Sequence, residues 1–163
     1  MRFLALSVIA VGMFFATLPQ AADPCQLVTR AEAAALLGAG GAEPMGGDPE
    51  PDEDMGAQRI TCVYQNGDRM LIVMILEFPN ADAAGTTLTR EMVEATLEDE
   101  TATIAAESGL GDRAYWGMTE SAATFVVLRG ARVLGVMFGG GGVNPADQRA
   151  ALRTVTAAAV GRL

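Results

Sequence analysis

Cys25 and Cys62 are the chain's only thiols, and there is no histidine to activate them. Missing histidine removes the Ser-His-Asp and Cys-His nucleophile systems, and with them zinc and copper sites built on imidazole. Two thiolates cannot fill a four-thiolate zinc site, and their spacing is not the Cys-x-x-Cys of a thioredoxin-like redox pair. General acid–base work would fall to carboxylates, which need a paired environment. The sequence therefore assigns no catalytic residue, no metal and no cofactor.

Four other groupings have a chemistry to weigh. Asp48, Glu50, Asp52 and Asp54 alternate as calcium ligands do. However, the sixth position counted from Asp48 is Glu53, where an EF-hand loop requires glycine, and Pro49 and Pro51 stiffen the run. Gly139 to Gly142 precede a helix, as phosphate-cradling glycines do, but no Gly-Lys-Ser/Thr follows and the chain has no lysine. Met70, Met74, Met92, Met118 and Met137 offer thioethers for Cu(I). Met70 and Met74 would stand about 13 Å apart along one strand, so core filling is the simpler reading. Arg113, Tyr115 and Trp116 follow a Gly-Leu-Gly-Asp turn, and arginine beside aromatics is the composition of an interface anchor. Strand alternation puts Arg113 and Tyr115 on one face and Trp116 on the other. Arg113 and Tyr115 are thus the candidate binding residues, facing outward, with Trp116 inward.

These residues need elements to hold them. Thr29 and Glu32 form a capping box for a helix over 25–38, with Ala33, Leu36 and Leu37 as its apolar stripe and Gly38 as its stop. Residues 39–58 carry five glycines, three prolines and six acids, and read as a flexible acidic loop. Residues 59–66 and 69–78 read as a hairpin about Asn66-Gly67. Its second strand is apolar on both faces, which predicts a central strand with layers above and below. Asn80 caps one helix to about Asp99, bearing Ala84, Leu88, Met92 and Ala95. A meander of strands over 113–118, 123–129 and 132–138 follows, then Asn144-Pro145 opens a final helix. The expected class is α+β, with an antiparallel sheet of about five strands and helices packed on it.

Compartment comes from residues 1–22. Arg2, the apolar run Phe3 to Leu18 and Pro19-Gln20-Ala21-Ala22 have the layout of a secretory signal peptide. The run falls short of the ~20 residues a helix needs to span a bilayer. The competing readings are an uncleaved anchor and a lipoprotein lipidated on Cys25. Pro24 stands where lipoprotein processing wants a small residue. The expectation is a periplasmic or secreted protein, not a lipoprotein, with residues 23–163 as one exported domain and no stable membrane anchor after cleavage. In such a compartment Cys25 and Cys62 are expected to pair, two buried thiols being the alternative. Cleavage removes Arg2 and no acid, leaving 10 arginines against 20 carboxylates, a net −10. That balance excludes nucleic acid and anionic membrane surfaces as partners.

Asp23-Pro24-Cys25-Gln26-Leu27-Val28-Thr29, with Glu32 and Leu37-Gly38, resembles the start of a loose group of secreted bacterial domains of unknown function, many in mycobacterial-type lipoproteins. Gly109-Leu110-Gly111-Asp112-Arg113-Ala114-Tyr115-Trp116 resembles the group's second recurring element. The resemblance implies a PsbP/Mog1-like α/β/α sandwich, an export habit, and binding rather than catalysis. Pro24 departs from the group's lipobox. The functional expectation is a non-catalytic exported protein that binds a protein or envelope component not identified by the sequence. A carrier of an apolar small molecule is the alternative, and a carboxylate-based hydrolase a distant one.

Overall fold

The computed structural model describes residues 22–38, 43–97, 99, 101–142 and 144–163. The expected signal segment, except Ala22, lies outside the described residues. One antiparallel sheet of eight strands carries helices on both faces, so the fold is α+β. Its main path is β1 (Met45–Gly46), β3 (Ala57–Asn66), β4 (Arg69–Glu77), β8 (Arg132–Gly140), β7 (Ala122–Arg129), β6 (Arg113–Met118) and β5 (Thr103–Glu107). A further strand, β2 (Glu50–Asp52), also pairs with β3.

Three strands exceed the expected five, for different reasons. The β1 and β2 strands lie in the acidic segment expected to be loop, and both pair with the free edge of β3. An edge position tolerates Pro51, which has no N–H to give a ladder. Arg59 on β3 sits within 3.9 Å of Glu50 and 3.5 Å of Asp52, drawing the acids to the strand. The β5 strand carries the apolar–small run Thr103–Glu107, which lacks a clear alternation and takes its form from β6. The hairpin turn is Gly67-Asp68, one residue later than expected, because Asn66 stays paired with Arg69.

Two expected helices are broken. The first is α1 (Pro24–Leu27) and α2 (Arg30–Leu37), separated by extended Val28 and Thr29. Thr29 and Glu32 form the predicted capping box. The second is α3 (Ala81–Thr87) and α4 (Arg90–Leu97), because Leu88 turns extended to bury itself completely. Thr89 then restarts the helix, its hydroxyl accepting from the Met92 N–H. The last helix, α5 (Pro145–Arg162), opens on the Asn144 cap and buries Leu152, Val155, Thr156, Ala159 and Val160.

Alternation divides the sheet into two faces. The first shows Cys62, Tyr64, Leu71, Val73, Ile75, Trp116, Phe125, Val136 and Phe138 to α1, α2 and α5. The second shows Leu76, Val126, Leu128 and Val133 to α3 and α4. β4 is central, as its two apolar faces predict, but the expected layer on its second face covers only the Leu76 end.

Candidate functional site

Cys25 and Cys62 form a disulfide, with 5.2 Å between Cα atoms, tying α1 to β3. Gly46 of β1 passes directly over it: a Cβ there would stand 3.0 Å from the Cys25 sulfur. Tyr64, on the same face, donates its hydroxyl to the carbonyls of Cys25 (3.0 Å) and Val28 (2.5 Å). Burial pushes its phenol pKa up, so it stays a donor.

Arg113 and Tyr115 share the second face, Arg113 exposed and Tyr115 half-buried, and each also makes contacts within the fold. The Arg113 guanidinium donates to the carbonyls of Gly85 and Leu88, both at 2.9 Å, closing the end of α3. That is the favourable place for a cation on a helix. Tyr115 is half-buried against the cluster formed by α3, α4 and the sheet. Trp116 is 4% exposed on the first face, its ring 4.7 Å from Phe125. The Arg149 guanidinium lies over the Trp116 ring, 5.3 Å from its centroid, and joins Arg153 in pairing with Glu107.

The other weighed groupings are dispersed. Among the described residues no three Asp, Glu or Cys side chains converge as a metal site would require. Asp52 accepts from the Met55 N–H and lies beside Arg59. Met92 lies among α3, α4 and their sheet contacts, and Met118 against the first core. Gly139 and Gly140 belong to β8 rather than to a phosphate loop. Gly140, at φ 132°, lets the hairpin turn come close, for a Cβ would stand 2.2 Å from the Asp68 carbonyl.

What the structure brings together is a surface that residue types alone did not mark. The helices α3 and α4 make their main contacts with β5 to β8. They leave uncovered the part of the second face on β3, β4 and the end of β8. Register places Met45, Val63, Ile72 and Met137 in one row across four strands. Gln65, Met70 and Gly139 form the next row. Val63, Ile72 and Met137 are only partly buried, while Met70 is 39% and Met45 56% exposed. Met74 lies over Gly135 and marks the border with the covered half.

Two open hollows sit side by side on this face. One, of about 380 Å³, is lined by Met70, Ile72, Met137, Ala122 and Gly139 to Gly141. The other, of about 210 Å³, is lined by Met45, Thr61 and Val63 together with Asp48, Glu50 and Arg59. They adjoin because Val63 pairs with Ile72. The rim is acidic: Asp48 and Glu50 on the edge and Asp68 against Gly141, all exposed. The sequence signal for this face was present in Met70, Ile72 and Met74, which read as one apolar face of β4. It did not reveal that α3 and α4 are too short to cover it.

No family model matches the chain, and no curated protein matches it. Among solved structures, the extracellular domain of PknH from Mycobacterium tuberculosis is similar, at 13% identity, 85% coverage of this chain, 94% coverage of that chain and a TM-score of 0.48. No functional residue is carried across from it.

Proposed function

We propose that this chain is a non-catalytic exported binding module that docks a protein or envelope component on the open half of its second sheet face. The observation that carries the reading is a continuous apolar surface, from Met45 to Met137, with no helix over it among the described residues. A solvent-facing patch of this kind is the usual mark of an interaction site. Arg113 and Tyr115, the residues first suggested for binding, stay exposed and half-exposed while also contacting α3 and the second core, and the larger apolar surface is the one to which docking is assigned. An apolar carrier is less well supported. The space between sheet and helices is filled by Tyr64, Leu71, Phe125, Phe138 and Leu152, all fully buried, and the two hollows open to solvent.

Export without lipidation belongs to the same reading, as does membership of the secreted, PsbP/Mog1-like, mycobacterial-type domains. Its support is chemical: a Cys25 sulfur bonded to Cys62 is not available for a diacylglyceryl thioether. Among the described residues no helix is long and apolar enough to cross a membrane. Intact-mass measurement of the exported protein should give a chain starting near Asp23, two mass units short of the dithiol form. A lipid adduct on Cys25, or retained residues 1–22, would overturn this part.

The docking reading is tested by capture from native envelope, comparing the wild type with Met70→Ser and Ile72→Asn. A protein retained by the wild type and lost from both folded variants is the expected result. Equal retention by all three moves the site elsewhere, and a lipid or apolar metabolite in the eluate would favour the carrier.

A further inference from the structure

The open half of the second face has the dimensions and charge of a place for one more helix. The first face is roofed by α1, α2 and α5. The second has α3 and α4 over only one part of the sheet. The strands with no helix over this face among the described residues, β3, β4, β8 and the edge of β7, span about 14 Å at ordinary strand spacing. A helix with its side chains is about 10 Å across and would fill that width. Val63, Ile72 and Met137 would form its floor, and the hollow at Met70 would take one protruding side chain. Methionine suits such a floor because its unbranched thioether adapts to the incoming shape.

The rim selects the sign of the partner. Asp48 and Glu50 line the floor at the β3 edge, and Asp68 stands against Gly141 at its other hollow. Arg59, the cation among the lining residues, is flanked by Glu50 and Asp52. A second copy would bring the same acidic rim against itself, each exported chain being strongly acidic, and an anionic membrane would be repelled likewise. A cationic partner gains on both counts.

We propose that the partner segment is a cationic amphipathic helix, apolar at helical spacing on one side and Lys/Arg-rich on its flanks, which completes the helical layer over β3, β4 and β8. The proposal rests on the docking reading above and adds the partner's secondary structure and charge. Recognition would follow the helix-in-groove mode, in which anchors at i, i+3 or i+4, and i+7 enter the apolar floor.

Three synthetic peptides of about 18 residues separate the possibilities, that length giving roughly five helical turns. One places Leu and Lys to make an amphipathic helix, one scrambles that composition so that no apolar face forms, and one replaces Lys by Glu. Binding to the exported protein is measured by calorimetry, with methionine methyl groups followed by NMR. The Leu/Lys helix should bind at least about tenfold more tightly than its scramble, as a buried anchor cluster requires. It should also shift the Met70 and Met137 methyl signals. Met70→Ser should weaken it by a similar factor. Asp68→Asn with Asp48→Asn should weaken it a few-fold and flatten its salt dependence. A scramble that binds equally well, or unmoved Met70 and Met137 signals, overturns the proposal. If the Leu/Glu helix binds equally at those methyls, the docking face stands and the charge assignment falls. If zwitterionic vesicles or concentration-dependent self-association move the methyls while no peptide does, a bilayer or a second copy is the occupant instead.

Discussion

At the start of α2 the Glu32 carboxylate gathers several donors. Its Oε2 accepts from the Thr29 N–H at 2.8 Å, the Thr29 hydroxyl at 2.9 Å and Arg162 at 2.8 Å, while Oε1 takes the second Arg162 nitrogen at 2.8 Å. Arg162, near the end of α5, also donates to the Leu27 carbonyl, so three helices meet at one carboxylate. The Arg162 hydrogen bonds hold Glu32 at about 2, against an ordinary 4.5. The folded state therefore binds this proton less readily than the unfolded chain. Its contribution is complete above pH 4.5 and fades as pH falls towards 2. Glu32→Gln should cost about 1–2 kcal/mol at neutral pH, since the pair is partly solvated and the cap is weakened with it. Denaturant titrations should show that deficit shrinking from pH 5 to pH 2, as estimated from the linkage relation. A deficit independent of pH would show that the ion pair is not its source. Trp116 gives a second test at this scale. Its removal to Ala should cost ~3–5 kcal/mol, as for a core aromatic. Wild-type fluorescence should be blue-shifted and poorly quenched by iodide, and full quenching would contradict the burial.

Among the elements, α4 depends on a missing side chain. A Cβ on Gly117 of β6 would stand 2.8 Å from Leu97 and 3.1 Å from Thr124, so the helix rests directly on bare backbone. Gly117→Val should lift α4 and lower stability by ~1–3 kcal/mol, the usual cost of overpacking. Hydrogen exchange should rise in Arg90–Leu97 and not in α5, and a uniform rise across the sheet would argue against a local effect. What was legible at this scale was what is local. The Thr29 box, the Asn80 and Asn144 caps, the Gly130-Ala131 turn and the three meander strands all rest on contacts within a few residues. What was not legible depends on distant partners. Leu88 breaks its helix because a core forms beneath it, and Glu50–Asp52 become a strand because the β3 edge is there to pair with. Arg113 illustrates the same limit for the site: its type suggested an interface, and only the fold showed the two carbonyls it serves.

At the scale of the whole molecule, the single sheet consists of two sequence-local halves joined by one strand pairing as a seam. β1 to β4 pair among themselves, as do β5 to β8, and only the β4–β8 pairing crosses between them. The disulfide, 37 residues apart, lies wholly in the first half. It should contribute roughly 3–4 kcal/mol by shortening the unfolded loop, and Cys62→Ser measures this by denaturant midpoint. The seam has a kinetic meaning that the finished structure hides. β8 begins at Arg132, far along the chain from the end of β4 at Glu77, and closing a loop that long is entropically slow. Until it arrives, β4 waits with Leu71, Val73 and Ile75 on one side, Ile72 and Met74 on the other, and its far edge unpaired. That is the sequence profile of an aggregating segment, exposed for as long as the seam stays open. Val73→Ala and Val136→Ala, which face each other across it, should therefore slow refolding nearly in proportion to the stability they remove. Were they only to hasten unfolding, the seam would close after the rate-limiting step. On the first outcome, the chain's yield in any exporting cell is governed less by how stable it becomes than by how long β4 is left without its neighbour.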